Sequence, residues 1–120
     1  MNNEPHFPNR YDIEVPLLRA IDRRGGSIQL SRHGRKLEIE LADEFGITAA
    51  DRDFAAPNYH SQGHRKWRNE LQFVRDNLVK KGHLDGSVRD AWTLTPAGRA
   101  RILRNWGMSL TQVPQDVVCQ

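Results

Sequence analysis

Arg65, Arg68, Asn69 and Gln72 fall within eight consecutive positions, and they are the side-chain types that read base edges. Arginine is bidentate to guanine, and asparagine and glutamine are bidentate to adenine. Ser61, Gln62 and His64 stand immediately ahead of them as further candidates for base contact. Lys66, Arg75, Lys80 and Lys81 supply point charges suited to phosphate. Tyr59 and His60 on one side, and Ser87 and Arg89 on the other, complete the candidates for backbone contact. Between Arg65 and Lys81 there are six basic residues against two acidic ones, whereas Arg35 to Phe45 holds two basic and four acidic. The charge is therefore concentrated in one stretch of a chain whose net charge is only +3.

A helix has to position these groups. Trp67, Leu71, Val74 and Leu78 recur at steps of four, three and four, which puts them on one face, while Arg65, Lys66, Arg68, Asn69, Gln72 and Arg75 lie largely off it. One face belongs to a core and the other is free to enter a major groove. Gly82 stops this helix after Lys80 and Lys81, both favourable near its negative end. A hairpin of His83 to Asp85 and Ala91 to Leu94 follows, turned at Gly86-Ser87. With Asp85, Arg89 and Asp90 this wing carries a net charge of −1, so Ser87 and Arg89 are expected only to anchor. Thr95 then caps a last helix that starts on Pro96.

The preceding half supplies the scaffold. Asp12 is expected to cap a helix over about 13–24, with Pro16 tolerated in its first turn and Gly25-Gly26 ending it. Ser27 to Leu30 alternates polar and apolar as a short strand that needs the wing as its partner. Gly34 is expected to open a second helix to about Phe45, with Leu37, Leu41 and Phe45 inward and an acidic outer face poorly suited to phosphate. Thr48 caps a short turn, and residues 54–62 form a loop around Pro57. The expected class is α+β and mainly helical, a winged helix-turn-helix with a small antiparallel sheet.

At 120 residues the chain suits one domain: a flexible lead-in over 1–10, a winged helix over 11–105, and a tail or linker stub over 106–120. The lone Cys119 makes no internal disulfide, and the lack of a long apolar run or leader points to a cytoplasmic protein with no membrane partner. His60 and His64 have the spacing of two metal ligands, but a zinc site needs a third ligand that the sequence does not offer, so no metal and no cofactor is expected. Glu38, Glu40, Asp43 and Glu44 lack the lysine a restriction-type nuclease centre would use and read as a solvated acidic face. Ser31, His33 and Asp43 have no nucleophile-elbow context. No catalytic residue is assigned.

Tyr11-Asp12 with Pro16 to Ile21 and Gly25-Gly26, then Trp67 and Leu71, Leu78 to Leu84, and Trp92-Thr93-Leu94-Thr95-Pro96-Ala97-Gly98 together resemble the N-terminal domain of Mrr-type restriction proteins. The resemblance runs from about Tyr11 to Leu103. It implies a winged helix that binds double-stranded DNA and is fused to, or associated with, a nuclease domain, often one directed at methylated DNA. Similar winged helices stand beside HNH-type nucleases that cut N6-methyladenine DNA, so reading of that or another modified base is the sharper expectation. Trp67, Tyr59 and Trp92 are the aromatic residues nearest the expected surface, with Trp67 and Trp92 assigned first to packing. As a recognition module the chain is expected to be a monomer or weak dimer. The alternative is a stand-alone dimeric transcriptional regulator, and a third reading is a protein-binding winged helix.

Overall fold

The computed structural model describes residues 5–55 and 65–112, the last seven of them by their backbone alone. Five helices and three short strands follow one another as α1 (Arg10–Arg23), β1 (Ser27–Gln29), α2 (Leu30–Glu44), α3 (Ala49–Arg52), α4 (Lys66–Lys80), β2 (Leu84–Asp85), β3 (Ala91–Leu94) and α5 (Pro96–Gln112). The strands form one antiparallel sheet in the order β1-β3-β2, with Ile28 opposite Trp92 and Leu84 opposite Leu94. The early strand thus completes its pairing on the wing, as the sequence requires of so short a segment. The whole is a mainly helical α+β, winged-helix architecture.

Two helix starts differ from expectation. The side chain of Asn9, not Asp12, accepts the Tyr11 N–H at 2.9 Å, so α1 begins earlier and Asp12 falls in its first turn, where a negative charge still suits the dipole. Pro16 consequently sits in the second turn, with no N–H to give to the Asp12 carbonyl. Phe7, expected in a flexible lead-in, instead packs on Trp67 with ring centroids 5.3 Å apart. Helix α2 starts at Leu30, four residues before Gly34. Its first N–H groups are met from the wing: the Asp90 carbonyl accepts from Leu30 at 2.9 Å and its carboxylate from the Ser31 N–H at 3.0 Å.

The core is built where the helical stripes meet the sheet. Ile13, Leu17, Leu18 and Ile21 of α1 pack with Leu37 and Leu41 of α2 and with Trp67, Leu71, Val74 and Leu78 of α4, all essentially inaccessible. Trp67 is fully buried and its indole N–H donates to the Glu38 carbonyl at 2.9 Å, which satisfies the one polar atom that burial would otherwise strand. That bond ties the first turn of α4 to the middle of α2. Gly82, at φ 80°, ends α4 as expected. The Thr95 hydroxyl accepts the Gly98 N–H at 3.0 Å and donates to the Gly82 carbonyl at 2.6 Å, joining the start of α5 to the end of α4.

Candidate nucleic-acid interface

The burial of Trp67, Leu71, Val74 and Leu78 turns the other side of α4 to solvent. On that side Arg68 is 61 % exposed, and Gln72, one turn further on, is also exposed. Lys80 is exposed at the far end of the helix. Asn69 and Lys66 are half-buried and engaged with other groups. Tyr59, His60, Ser61, Gln62 and His64 lie outside the described residues.

Three of the expected cationic contacts are held by the protein itself. Arg65, which occupies the N-cap position of α4, gives its Nη2 to Glu38 at 2.7 Å and its Nε to the same oxygen at 3.2 Å, and is 24 % exposed. Arg75 donates to Asp76 at 2.8 Å and to the Gly86 carbonyl at 3.2 Å, so it clasps the wing. Lys81 places its Nζ 2.8 Å from Glu14. An arginine already neutralised by a carboxylate contributes less to phosphate, because the partner must be given up or shared.

The acids expected on a solvated face of α2 do not behave alike. Glu38 is 8 % exposed and lies beneath the start of α4, shared by Arg65, by Arg35 at 3.3 Å and by Arg68 at 4.0 Å. Burial opposes the charge on Glu40, but hydrogen bonds from Arg23 and Arg24 prevail and hold its carboxyl below the usual range. Asp53 is pulled to about 2, first by its hydrogen bond from Arg52 and then by Arg35. The early start of α2 also exposes Arg32 and Lys36 on its first turns, while Arg35 between them is held by Asp53 at 2.9 Å. Only the second half of this helix is acidic, so its first half offers phosphate-binding groups that the sequence reading passed over. The signal was present as four basic or imidazole side chains, Arg32, His33, Arg35 and Lys36, within five positions.

The wing connects the two helices. Its Asp90 reaches the first turn of α2 through Ser31, and its Gly86 receives Arg75 of α4. Asp85 accepts the Ser87 N–H at 2.8 Å, and the Ser87 side chain first, then this N–H, hold its carboxyl below the usual range. With both wing carboxylates turned to internal partners, Ser87, Val88 and Arg89 stand exposed at the tip. A cavity of about 200 Å³ opens between α2, α4 and β3. Leu30, Gly34, Leu37, Leu71 and Trp92 give it an apolar floor. Glu38 and Arg65 stand in its wall, with Arg35, Arg68 and Gln72 beside them. Of the aromatic residues, Trp92 alone combines a described side chain with a place in this cavity; Trp67 is sealed in the core.

A buried ionic group with no counterpart in the sequence reading joins α1 and α5 at the C-terminal end of α4. Glu14, 2 % exposed, binds Arg101 of α5 at 2.6 Å as well as Lys81. Tyr11 lies under both cations, 5.1 Å from Lys81 Nζ and 5.4 Å from the Arg101 guanidinium. The hint was the spacing of Glu14 with Leu17, Leu18 and Ile21, which places an acid on the inward face of α1.

Among the described residues no group of three or more His, Cys, Asp or Glu comes together to hold a metal ion, and no helix is long and apolar enough to cross a membrane. Comparison with curated proteins and with solved structures gave no match. The family model of the Mrr N-terminal domain matches residues 12–104, from the first turn of α1 into α5. With a winged-helix architecture and that match over most of its length, the chain belongs to the family of N-terminal domains of Mrr-type restriction proteins.

Proposed function

We propose that this domain binds double-stranded DNA without catalysing a reaction on it, and serves as the target-recognition part of a Mrr-like or HNH-type restriction endonuclease whose nuclease lies in another domain. The reading rests chiefly on one observation: Arg68 and Gln72 stand exposed on successive turns of a helix whose reverse side is the core. Helix α4 is the groove-entering element, with Arg68 and Gln72 as base contacts. Arg32 and Lys36 of α2 and Arg89 of the wing flank it as phosphate contacts. Ser61, Gln62, His64, Tyr59 and His60 keep their place as candidates on the approach to α4, and Asn69, Lys66 and Lys80 along it.

Reading of a modified base is the finer form of the proposal. A methyl group on adenine N6 or cytosine C5 adds apolar surface on the major-groove side, and contact with an apolar wall is worth roughly 1 kcal/mol per methyl. The test is fluorescence anisotropy with labelled duplexes, unmodified, hemi-methylated and fully methylated at adenine or cytosine, over a salt series. Binding that weakens steeply with salt is the expected result for phosphate contact. Absence of binding at low salt overturns the DNA reading, and equal affinity across the methylation panel removes the modified-base part alone.

A further inference from the structure

The cavity between α2, α4 and β3 is kept open by a residue the fold itself does not need. Gly34 is the fifth residue of α2, with helical backbone rather than the left-handed conformation that calls for glycine. A Cβ built there would meet only Leu30 side-chain carbons at 3.7 Å, an ordinary contact. Glycine inside a helix lowers stability relative to alanine, so something other than packing or backbone geometry accounts for it. What the missing side chain leaves is volume in the cavity wall.

The same wall holds a carboxylate with one oxygen open to a further bond. Glu38 Oε1 takes the bonds from Arg65 and Arg35, while Oε2 has Arg68 Nε at 4.0 Å, beyond hydrogen-bond range. A carboxylate oxygen so placed suits an N–H donor from a ligand. The floor of Leu30, Leu71 and Trp92 suits a flat apolar ring, and the exposed Arg68 at the rim suits a phosphate beside it. At about 200 Å³ the space is below that of sites for drug-sized ligands and matches a single heterocycle. The cavity opens beside Arg68 and Gln72 on the exposed face of α4, and a base can lay its whole ring on this floor only after leaving the stack.

We infer that this cavity receives one nucleobase bearing an exocyclic amino group, turned out of the duplex, with the amino group donated to Glu38 and the ring on the Leu30, Leu71 and Trp92 floor. The inference rests on the DNA-binding reading and deepens it. Adenine N6 and cytosine N4 donate to the carboxylate as amino groups, whereas thymine has its O4 carbonyl at the equivalent position and only an N3–H, flanked by two carbonyls, to give. A base without a pairing partner leaves the stack at lower cost than a paired one.

The experiment compares a fully paired duplex with duplexes carrying one unpaired adenine, cytosine or thymine, at fixed salt. The expected result is binding at least fivefold tighter for unpaired adenine or cytosine than for the paired duplex, and a change below twofold for thymine. Gly34→Leu, which fills the cavity from a position that tolerates a side chain, should abolish the gain while paired-duplex affinity stays within twofold. Far-UV circular dichroism and a melting curve check its fold. The adenine-to-thymine comparison on the unaltered protein decides the matter even where that variant does not fold. Equal affinity for all four duplexes, an equal gain for thymine, or a gain that survives Gly34→Leu overturns the pocket and leaves general DNA binding standing. No binding to the paired duplex at low salt overturns the DNA reading and the pocket with it.

Discussion

Asp90 of the wing caps α2 through Ser31, accepting its N–H at 3.0 Å and its hydroxyl at 2.6 Å. Asp90 adopts φ 65°, the one positive φ among the described non-glycine residues, a conformation that costs about 1–2 kcal/mol for a residue with a Cβ. The cap is of the same order as that strain, since loss of a capping side chain typically costs about 1 kcal/mol and here two bonds are made. Asp90→Ala should therefore destabilise the domain by about 1–2 kcal/mol in urea denaturation, and Asp90→Gly by less, because glycine relieves the strain while losing the same cap. Equal losses in the two variants would show that the conformation is not strained.

That relationship also explains what the sequence could reveal and what it could not. The Trp67 stripe, the Gly82 stop and the Thr95-Pro96 cap are local patterns, complete within a few residues, and each is found where expected. The start of α2 depends on a carboxylate 59 residues away, so no window around Gly34 contains the information. Glu38 is a similar case. Its place beside Leu41 and Ala42 gave a hint of burial, but an acid on a solvated face and an acid buried under Arg65 have the same neighbours in sequence. The site was legible as a stretch of suitable side chains; the division between exposed Arg68 and engaged Arg65, Arg75 and Lys81 was not, because apart from Asp76, the neighbour of Arg75, the partners come from other elements or from the backbone of the wing.

Arg68 and Arg65 should accordingly separate in their effects. Arg68→Ala removes an exposed groove-side cation and is expected to raise Kd for duplex DNA about tenfold, ~1.4 kcal/mol, and to reduce the salt slope by about one if it meets a phosphate. Arg65→Ala leaves Glu38 short of its nearest partner, so its first effect is a loss of roughly 1–2 kcal/mol in stability, discounted from a fully buried pair for partial exposure. Anisotropy titrations and urea melts on both variants make the comparison. An Arg68→Ala protein that binds like the parent removes α4 as the reading helix.

The Glu14 group predicts a different pattern. Glu14→Gln keeps the shape but leaves Arg101, itself 9 % exposed, without its charge partner, and should cost about 3 kcal/mol. The double variant Glu14→Leu with Arg101→Met removes both charges and should recover most of that loss, since a buried pair is worth little more than apolar residues of similar volume. A double variant as unstable as Glu14→Gln alone would mean that the group's geometry, including the Tyr11 ring and Lys81, matters more than unpaired charge.

His83 makes stability depend on pH through the same neighbourhood. Burial first, and then the charges of Arg101 and Lys81, hold its pKa below the ordinary 6.5, with its Nδ1 3.3 Å from the Arg101 guanidinium. A histidine whose folded value is depressed takes up its proton more readily in the unfolded chain. Its contribution is therefore intact above pH 6.5 and is lost as pH falls through the lower folded value. Asp53 and Asp85, both held below their usual values, titrate well beneath this window and do not obscure it. Urea midpoints measured at pH 7.5, 6.5 and 5.5 should fall mainly between 6.5 and 5.5 for the parent and stay flatter for His83→Gln. Identical slopes for the two proteins would assign the acid sensitivity to another group.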